Sequence, residues 1–193
     1  MLPLEFQVSF HTPFRVGTGT VRPGLGLTAY RQEVADQVLI APASTVKGVM
    51  RAVALELLPD SLVAEVFGGR GTQCGWSWSG LTVPATAVHP RSRTRIEIEP
   101  ATGTVAKDML AVAEELVISE VGSFTVRRLG FLSMAPEMEH RHRAVLRVAA
   151  GLVSGAGGAR RRGLGWISVN PSSVDAAEQA REDLNLLAAG GWL

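Results

Sequence analysis

The chain of 193 residues has one cysteine, Cys74, two lysines, Lys47 and Lys107, and a net charge of only +1. A single cysteine excludes an internal disulfide and is typical of reducing compartments. No run approaches the roughly 18 consecutive apolar residues of a membrane span, and the opening residues MLPLE lack the features of a signal peptide. The low net charge excludes a protein that is basic all over, but not one with a local basic patch. We therefore expect a folded cytoplasmic protein without a membrane partner.

Known mononucleotide motifs are also absent, although the chain holds 21 glycines. Five glycines surround three consecutive arginines in residues 155–166, GAGGARRRGLGW. Neither lysine stands in a Walker A context, and Arg160 replaces the third glycine of a dinucleotide fingerprint. A glycine-rich basic loop between a helix and a strand favours a cradle for a polyanionic backbone. A solvated loop with incidental charge is the alternative.

The order of the elements favours an α+β fold. Residues 4–10 alternate apolar and polar side chains, which predicts a first strand. The segment 12–40 reads as a long loop in which residues 38–40 could add a short strand. Further strands are expected at 81–83, 93–99, 111–118, 122–132 and 166–169, with a helix as the alternative for 108–118. Residues 137–151 predict a second helix with Arg141, His142 and Arg147 exposed. The sequence thus predicts a ferredoxin-like β-α-β-β-α-β plan with an inserted hairpin. A last helix over 172–188 would begin at the capping box of residues 172–175.

The clearest helix follows Pro42 and carries a second basic face. Ser44 or Thr45 is expected to cap it. Spacing of i, i+3, i+4 and i+7 places four residues on one side: Ser44, Lys47, Gly48 and Arg51. A positive helix N-terminus beside basic side chains favours an anion site. A glycine in mid-helix suggests close approach of another backbone at that point.

Several stretches, in order along the chain, resemble the RAMP superfamily of CRISPR-associated proteins. Residues 42–51, PASTVKGVMR, are similar to the family motif Pro-Gly-Ser-Ser-Leu-Lys-Gly-x-x-Arg, with Ala43 in place of the first glycine. Residues 157–166 resemble the family's glycine-rich loop near the C-terminus. Shorter matches are TPFRVG at 12–17, FGG at 67–69 and RTRIEIEPATGT at 93–104.

The resemblance is to the RNA-binding backbone subunits of type III CRISPR effector complexes. It implies a ferredoxin-like (RRM-like) palm over residues 1–170, a thumb-type hairpin inserted at about 86–110, and a C-terminal helical extension at 171–193. The implied partners are guide RNA, complementary target RNA, neighbouring RAMP proteins and a large signature subunit. The residues implied to contact RNA are Ser44, Thr45, Lys47, Arg51, Gly157, Gly158, Arg160, Arg161, Arg162 and Gly163.

Cleaving members of the family carry an aspartate in the loop after the first strand. The matching position falls near Gly26, and the acids of that loop are Glu33 and Asp36. The resemblance therefore implies a subunit that holds RNA without cutting it and needs no cofactor. The alternative is a metal-dependent endoribonuclease in which Asp36 holds a hydrated Mg²⁺. No metal ligands are predicted otherwise.

Other functions remain as alternatives. A stand-alone ferredoxin-like RNA-binding module would need no neighbouring subunit. Histidine-dependent RNA cleavage would use His11 or His89. Ser44 and Lys47 match the S-x-x-K pair of acyl-transfer enzymes, but the Lys-Thr-Gly and Ser-Asp-Asn elements of those enzymes are missing. Trp76 and Trp78 could stack on bases or lie in the core.

Overall fold

A computed structural model describes residues 2–23, 26–172 and 175–193, with the backbone alone at 107–109. In these residues the chain has a mixed α+β architecture with two sheets. The strands are β1 Leu4–Phe10, β2 Gly17–Arg22, β3 Gly26–Ala29, β4 Gln32–Val34, β5 Gln37–Ala41, β6 Trp76–Trp78, β7 Leu81–Pro84, β8 Val88–Ile98, β9 Val105–Ile118, β10 Gly122–Arg128 and β11 Ile167–Pro171. The helices are α1 Ala43–Leu57, α2 Asp60–Phe67, α3 Pro136–Leu152 and α4 Ala176–Ala189.

The larger sheet has the strand order β11-β1-β10-β7-β5-β4, with β6 also paired to β10. The alternation predicted for the first strand is confirmed, since Leu4, Phe6 and Val8 are buried while Glu5 and Gln7 are exposed. Phe6 stacks on Phe124 of β10 with ring centroids 5.0 Å apart. One face of the sheet thus supplies the core under the helices, and the other meets solvent.

The prediction of a long loop over 12–40 is wrong, because this segment forms β2, β3, β4 and most of β5. The short strand expected at 38–40 is confirmed, since it lies within β5. All six residues of β2 are exposed, so the strand GTGTVR has no apolar period that sequence reasoning could detect. Gly26 begins β3 with φ +69°, and a Cβ there would lie 1.9 Å from the carbonyl oxygen of Val112. Only glycine allows β3 to approach β9 this closely.

The smaller sheet has the order β2-β3-β9-β8 and is dominated by a long hairpin of β8 and β9. The hairpin spans 88–118 and so reaches beyond the insertion predicted at 86–110. Residues 111–118 and 122–128 are both strands, but they do not pair with each other. β9 pairs with β8, whereas β10 pairs with β1, β6 and β7.

The helices cover the larger sheet, and the predicted cap of α1 is wrong. Neither Ser44 nor Thr45 caps α1, because Pro42 is the N-cap and no side-chain cap bond forms. The amides of Thr45 and Val46 donate to the carbonyl oxygen of Pro42. Helix α2 was not predicted, since its eight residues directly follow α1 and share its apolar character.

Helix α3 buries a residue that the sequence placed on its exposed side. His142 is only 1% exposed, and its Nδ1 accepts a hydrogen bond from Trp76 Nε1 at 3.1 Å. Its Nε2 lies 2.8 Å from Glu65 Oε1. The side chain of Arg147 is only 11% exposed and pairs with Asp183. A pattern of polar residues on α3 therefore marks contacts with α2 and α4, not a solvated face.

Helix α4 begins at Ala176 and ends at Ala189, within one residue of the predicted end at 188. Leu187 is fully buried against the core, while Leu184 stays 43% exposed. The predicted capping box falls partly outside the described residues, because it includes Ser173 and Val174. Asp175 is the N-cap residue and forms no side-chain cap bond.

Candidate nucleic-acid interface

The glycine-rich loop of residues 155–166 is fastened to the segment 12–15 by backbone hydrogen bonds. The amide of Gly158 donates to the carbonyl oxygen of Arg15 at 2.7 Å, and the amide of Gly165 donates to that of Pro13 at 2.8 Å. The Trp166 amide also donates to Thr12 Oγ1 at 3.0 Å. These bonds hold the loop in one conformation, so it is not a flexible connection.

Two of the glycines serve this internal contact. Gly157 has φ +84°, and a Cβ there would lie 2.3 Å from the carbonyl oxygen of Arg15. Gly165 has φ +73°, and a Cβ there would lie 2.0 Å from the carbonyl oxygen of Ala156. By contrast, Gly158 has only an ordinary contact and Gly163, at φ +79°, has open space around it. Close approach of the chain's own backbone therefore explains why glycine stands at position 157. Gly163 instead faces solvent.

The three arginines of the loop form an exposed turn. Arg160–Arg162 make a single turn of 3₁₀ helix, bounded by Ala159 at φ +60° and Gly163. All three arginine side chains belong to exposed residues. A rigid turn that presents adjacent guanidinium groups suits the oxygen atoms of a phosphate backbone.

The first turn of α1 lies beside this loop. Thr45 and Val46 of α1 line one small cavity, of about 30 Å³, together with Phe14 and Ala156. The helix has no side-chain cap and no acidic residue in its first turn. Its N-terminal amides and positive dipole end thus have no negative side chain nearby in the helix, which favours an anion.

The predicted basic face of α1 is present and open. Ser44, Gly48 and Arg51 are exposed. Lys47 is partly buried, and its Nζ lies 5.0 Å from the ring centre of Trp78. No described atom lies within 4 Å of a Cβ built at Gly48, so the backbone there is free to receive another molecule. The tryptophans do not stack on bases, because Trp76 and Trp78 are 3% and 8% exposed in the core.

A second group of arginines lies where the loop meets the middle of the β8–β9 hairpin, and we call it the arginine junction. Arg91, Arg93 and Arg95 alternate along β8 and so project from one face of the strand. The structure adds two more arginines to this group. Arg15 of the segment 12–15 is buried, and Arg162 of the loop is exposed. Residues that line the junction are Arg15, Arg93, Arg95, Ala113, Glu114, Glu115, Arg162 and Leu164.

Sequence reasoning did not assign Arg15, Arg93 or Arg95 to the RNA site. The TPFRVG match at 12–17 and the alternating arginines of β8 were the available signals. The pKa of Arg95 is lowered, mainly by burial and further by the positive charges of Arg162, Arg15 and Arg93. The negative charge of Glu115 partly offsets this decrease. The junction is therefore a place where positive charges crowd together.

The candidate catalytic residues are Asp36, His11 and His89, and none of them lines the arginine junction. Asp36 is exposed in the turn between β4 and β5. Three strands separate β5 from β11, so Asp36 lies roughly 19 Å from the strand that follows the loop. His11 Nε2 lies 3.0 Å from Ser168 Oγ, and His89 is exposed on β8. Among the described residues no three His, Cys, Asp or Glu side chains gather as a metal site.

A family model and a solved structure are similar to this chain. The model of the RAMP superfamily matches residues 7–168. The fold resembles one chain of the cryo-EM structure titled as the Type III-B Cmr-beta bound to cognate target RNA. The TM-score is 0.60 at 12% identity, and the alignment covers 86% of this chain and 58% of that one. No curated protein matches in sequence. None of the described helices is long and apolar enough to cross a membrane.

Proposed function

Because the chain belongs to the RAMP superfamily, we propose that it is an RNA-binding subunit of a type III-like CRISPR effector complex. It would hold guide RNA, and the duplex of guide and target, through contacts to the RNA backbone. The observation that carries this proposal is the exposed turn Arg160–Arg162, held rigidly beside the uncapped start of α1. The comparison structure is that of a complex bound to cognate target RNA, which supports RNA as the partner.

The chemistry of the site suits backbone binding without sequence reading. Guanidinium, ammonium and amide groups bind phosphates and set the position of the strand, but they do not distinguish bases. Guide-dependent effectors leave sequence recognition to base pairing. Ser44, Lys47 and Arg51 on α1 and the arginines of the loop would therefore form one positive path for the guide.

The strand order β11-β1-β10-β7, with α1 and α3 between strands, supports a ferredoxin-like palm. In that plan the fourth strand lies beside the first, and the third and second strands follow. The hairpin β8–β9 would be the thumb. It carries exposed apolar pairs, Ile96 opposite Leu110 and Ile98 opposite Val105, which would contact RNA or neighbouring RAMP proteins. A large signature subunit is a further proposed partner.

We propose further that the subunit does not cut RNA. The position that matches the aspartate of cleaving relatives is near Gly26, where a Cβ would collide with the backbone of Val112. The backbone conformation there, at φ +69°, also disfavours a side chain. Asp36 is on the far side of three strands from β11, so its carboxylate would not meet a phosphate held by the loop. No Mg²⁺ would then be needed.

RNA binding by the full chain is the first test. We expect the double variant Arg160→Gln/Arg161→Gln to bind a fluorescent single-stranded RNA at least about tenfold more weakly than the wild type, because two phosphate contacts are lost. The matched control is Arg181→Gln, an exposed arginine on α4, which should keep the wild-type affinity. Equal affinity of the double variant and the wild type would contradict the proposed site.

Target cleavage is the second test. The complex with its guide is incubated with complementary RNA and Mg²⁺, and the products are resolved on a gel. We expect an intact target. Cuts at regular intervals that disappear in Asp36→Ala would overturn the non-cleaving proposal and establish the nuclease alternative.

A further inference from the structure

The arginine junction holds more positive charge than its acids can neutralise. Glu115 contacts Arg91 at 2.6 Å and Arg93 at 3.5 Å. Glu114 contacts Arg31 at 2.9 Å and accepts a hydrogen bond from the Ala29 amide. Both glutamates are buried and each already contacts an arginine, although Glu115 Oε2 has no hydrogen-bond partner among the described residues. Within the described residues, no acid forms an ion pair with Arg15, Arg95 or Arg162.

Burial makes this surplus costly. Arg15 is 9% exposed, and its Nε is buried without a hydrogen-bond partner among the described residues. The Nε of Arg95 is in the same situation. A buried guanidinium that lacks both an acid and a full set of acceptors destabilises a fold, so such groups usually have a partner in the functional state.

We propose that Arg15, Arg95 and Arg162, with Arg93 at the rim, form a binding site for one phosphoryl group. Binding at this site ties the middle of the β8–β9 hairpin to the glycine-rich loop. The proposal deepens the proposed function, and it rests on that function only for the source of the phosphate, an internal phosphodiester of RNA.

The shape of the junction fits this ligand. The cavity has a volume of about 30 Å³, enough for one oxygen-sized group but not for a whole phosphate. One phosphoryl oxygen would enter between Arg15 and Arg95, and the other oxygens would remain at the mouth. Arg93 and Arg162 are exposed there and can donate to them. Guanidinium groups arranged around a phosphate form short, charge-assisted hydrogen bonds.

The site would couple three parts of the chain. Arg15 comes from the segment that holds the loop, Arg162 from the loop, and Arg95 from the hairpin. Without an anion these like charges repel, and with one they share a counter-ion. We therefore expect phosphate to slow hydrogen exchange in residues 90–96 and 157–163 together.

The test compares thermal unfolding of the full chain in inorganic phosphate and in chloride at equal ionic strength. We expect phosphate at about ten times its Kd to raise the Tm by about 4 °C. Arg95→Gln should lose this rise. It should also keep or increase the Tm in chloride, because one repelling charge is removed. Arg181→Gln, distant on α4, should behave as the wild type. A purely structural Arg95 would give a lower Tm in chloride, and that result would overturn the proposal.

RNA oligonucleotides distinguish the sources of the phosphate. A short RNA without terminal phosphates should protect 90–96 and 157–163 as well as inorganic phosphate does. Protection only by 5′-phosphorylated RNA would support the site and assign it to a terminal phosphate. A phosphate response that survives in Arg95→Gln would refute the site while leaving the proposed function intact. Loss of RNA binding in Arg160→Gln/Arg161→Gln concerns the proposed function and is measured separately.

Discussion

The helical layer and the arginine junction use arginine in opposite ways. Between the helices, Arg147 binds Asp183 through two contacts of 2.6 Å, and Arg141 binds Glu65 at 2.6 Å. At the junction, Arg15, Arg95 and Arg162 form no ion pair with any acid of the described chain. Arginines in the helical layer therefore join α3 to α2 and α4, whereas arginines at the junction have side chains left to contact a ligand.

The two regions differ in whether the positive charge of each arginine is balanced by an acid within the fold. A buried pair with good geometry balances its charges within the fold, so removing one partner destabilises the protein while the intact pair leaves no free charge for a ligand. A group of unpaired cations attracts a polyanion and accelerates its association, at some cost to the free protein. Variants of the two regions should therefore affect different measurements.

The largest effect is expected from the buried pair on α4. Asp183→Ala leaves Arg147 buried without its acid and should lower the free energy of unfolding by about 3–5 kcal/mol. Chemical denaturation measures this change. RNA affinity should stay within about twofold of the wild type under conditions in which the variant is folded. A large loss of RNA affinity in the folded variant would show that the two regions are not separate.

The second largest effect is expected from a substitution in the glycine-rich loop. Gly157→Ala places a Cβ 2.3 Å from the carbonyl oxygen of Arg15 at a positive φ, so we expect a loss of about 2–3 kcal/mol in stability and weaker RNA binding. The matched variant is Gly48→Ala in α1, which has open space and should stabilise the helix by about 1 kcal/mol. If Gly48 admits an RNA backbone, this more stable variant should also bind RNA more weakly. Equal stability of Gly157→Ala and the wild type would contradict the close contact.

Two cations that stack on tryptophans provide a finer test. Lys47 lies over Trp78 and Arg141 over Trp192, at 5.0 and 4.9 Å, but only Arg141 also has an acid partner. Lys47→Met should weaken RNA binding about threefold to tenfold with little change in stability. Arg141→Met should lower stability by about 1 kcal/mol and leave RNA binding unchanged. Salt titrations check the first result, since the variant should have a shallower dependence. The opposite pattern would reverse the assignment of the two regions.

The smallest effect is the pH dependence of the helical layer. Burial lowers the pKa of His142 from 6.5, although the hydrogen bond with Glu65 opposes it. Burial alone would raise the pKa of Glu65, but hydrogen bonds from His142 and Arg141 outweigh it and the net pKa lies below 4.5.

The signs of both shifts predict acid destabilisation. As the pH falls below about 6.5, the unfolded chain takes up the proton of His142 first, and below about 4.5 that of Glu65, so stability decreases in both ranges. His142→Gln should flatten the decrease between pH 6.5 and 4.5. The exposed His140→Gln should not change it, and an unchanged slope in His142→Gln would contradict the buried site.

Much of the fold could be predicted because its signals are local. The apolar period of β1, the run before Pro42 and the arginine alternation of β8 each determine one element and its exposed side. The strands β2 to β4 could not be found, because the residues of β2 and β4 are all exposed and carry no apolar period. The cap of α1 was misassigned because Ser44 and Thr45 lie inside the helix, which begins one residue after Pro42.

The site was predictable only in part, for a similar reason. The triple arginine and the basic face of α1 are contiguous patterns, and both lie at the surface as predicted. Arg15 and Arg95 were missed because they come from distant segments and meet Arg162 only through folding. His142 was predicted to be exposed because its local sequence does not indicate that Trp76 and Glu65 from other elements contact it.

The sequence by itself determined the family, the mixed α+β architecture and an arginine-rich loop before the last strand, since each depends on residues that are neighbours along the chain. Tertiary structure alone decided which arginines are balanced by acids and which are not. Charge balance depends on distances between side chains from separate elements, and two arginines with the same local sequence context can differ completely in it.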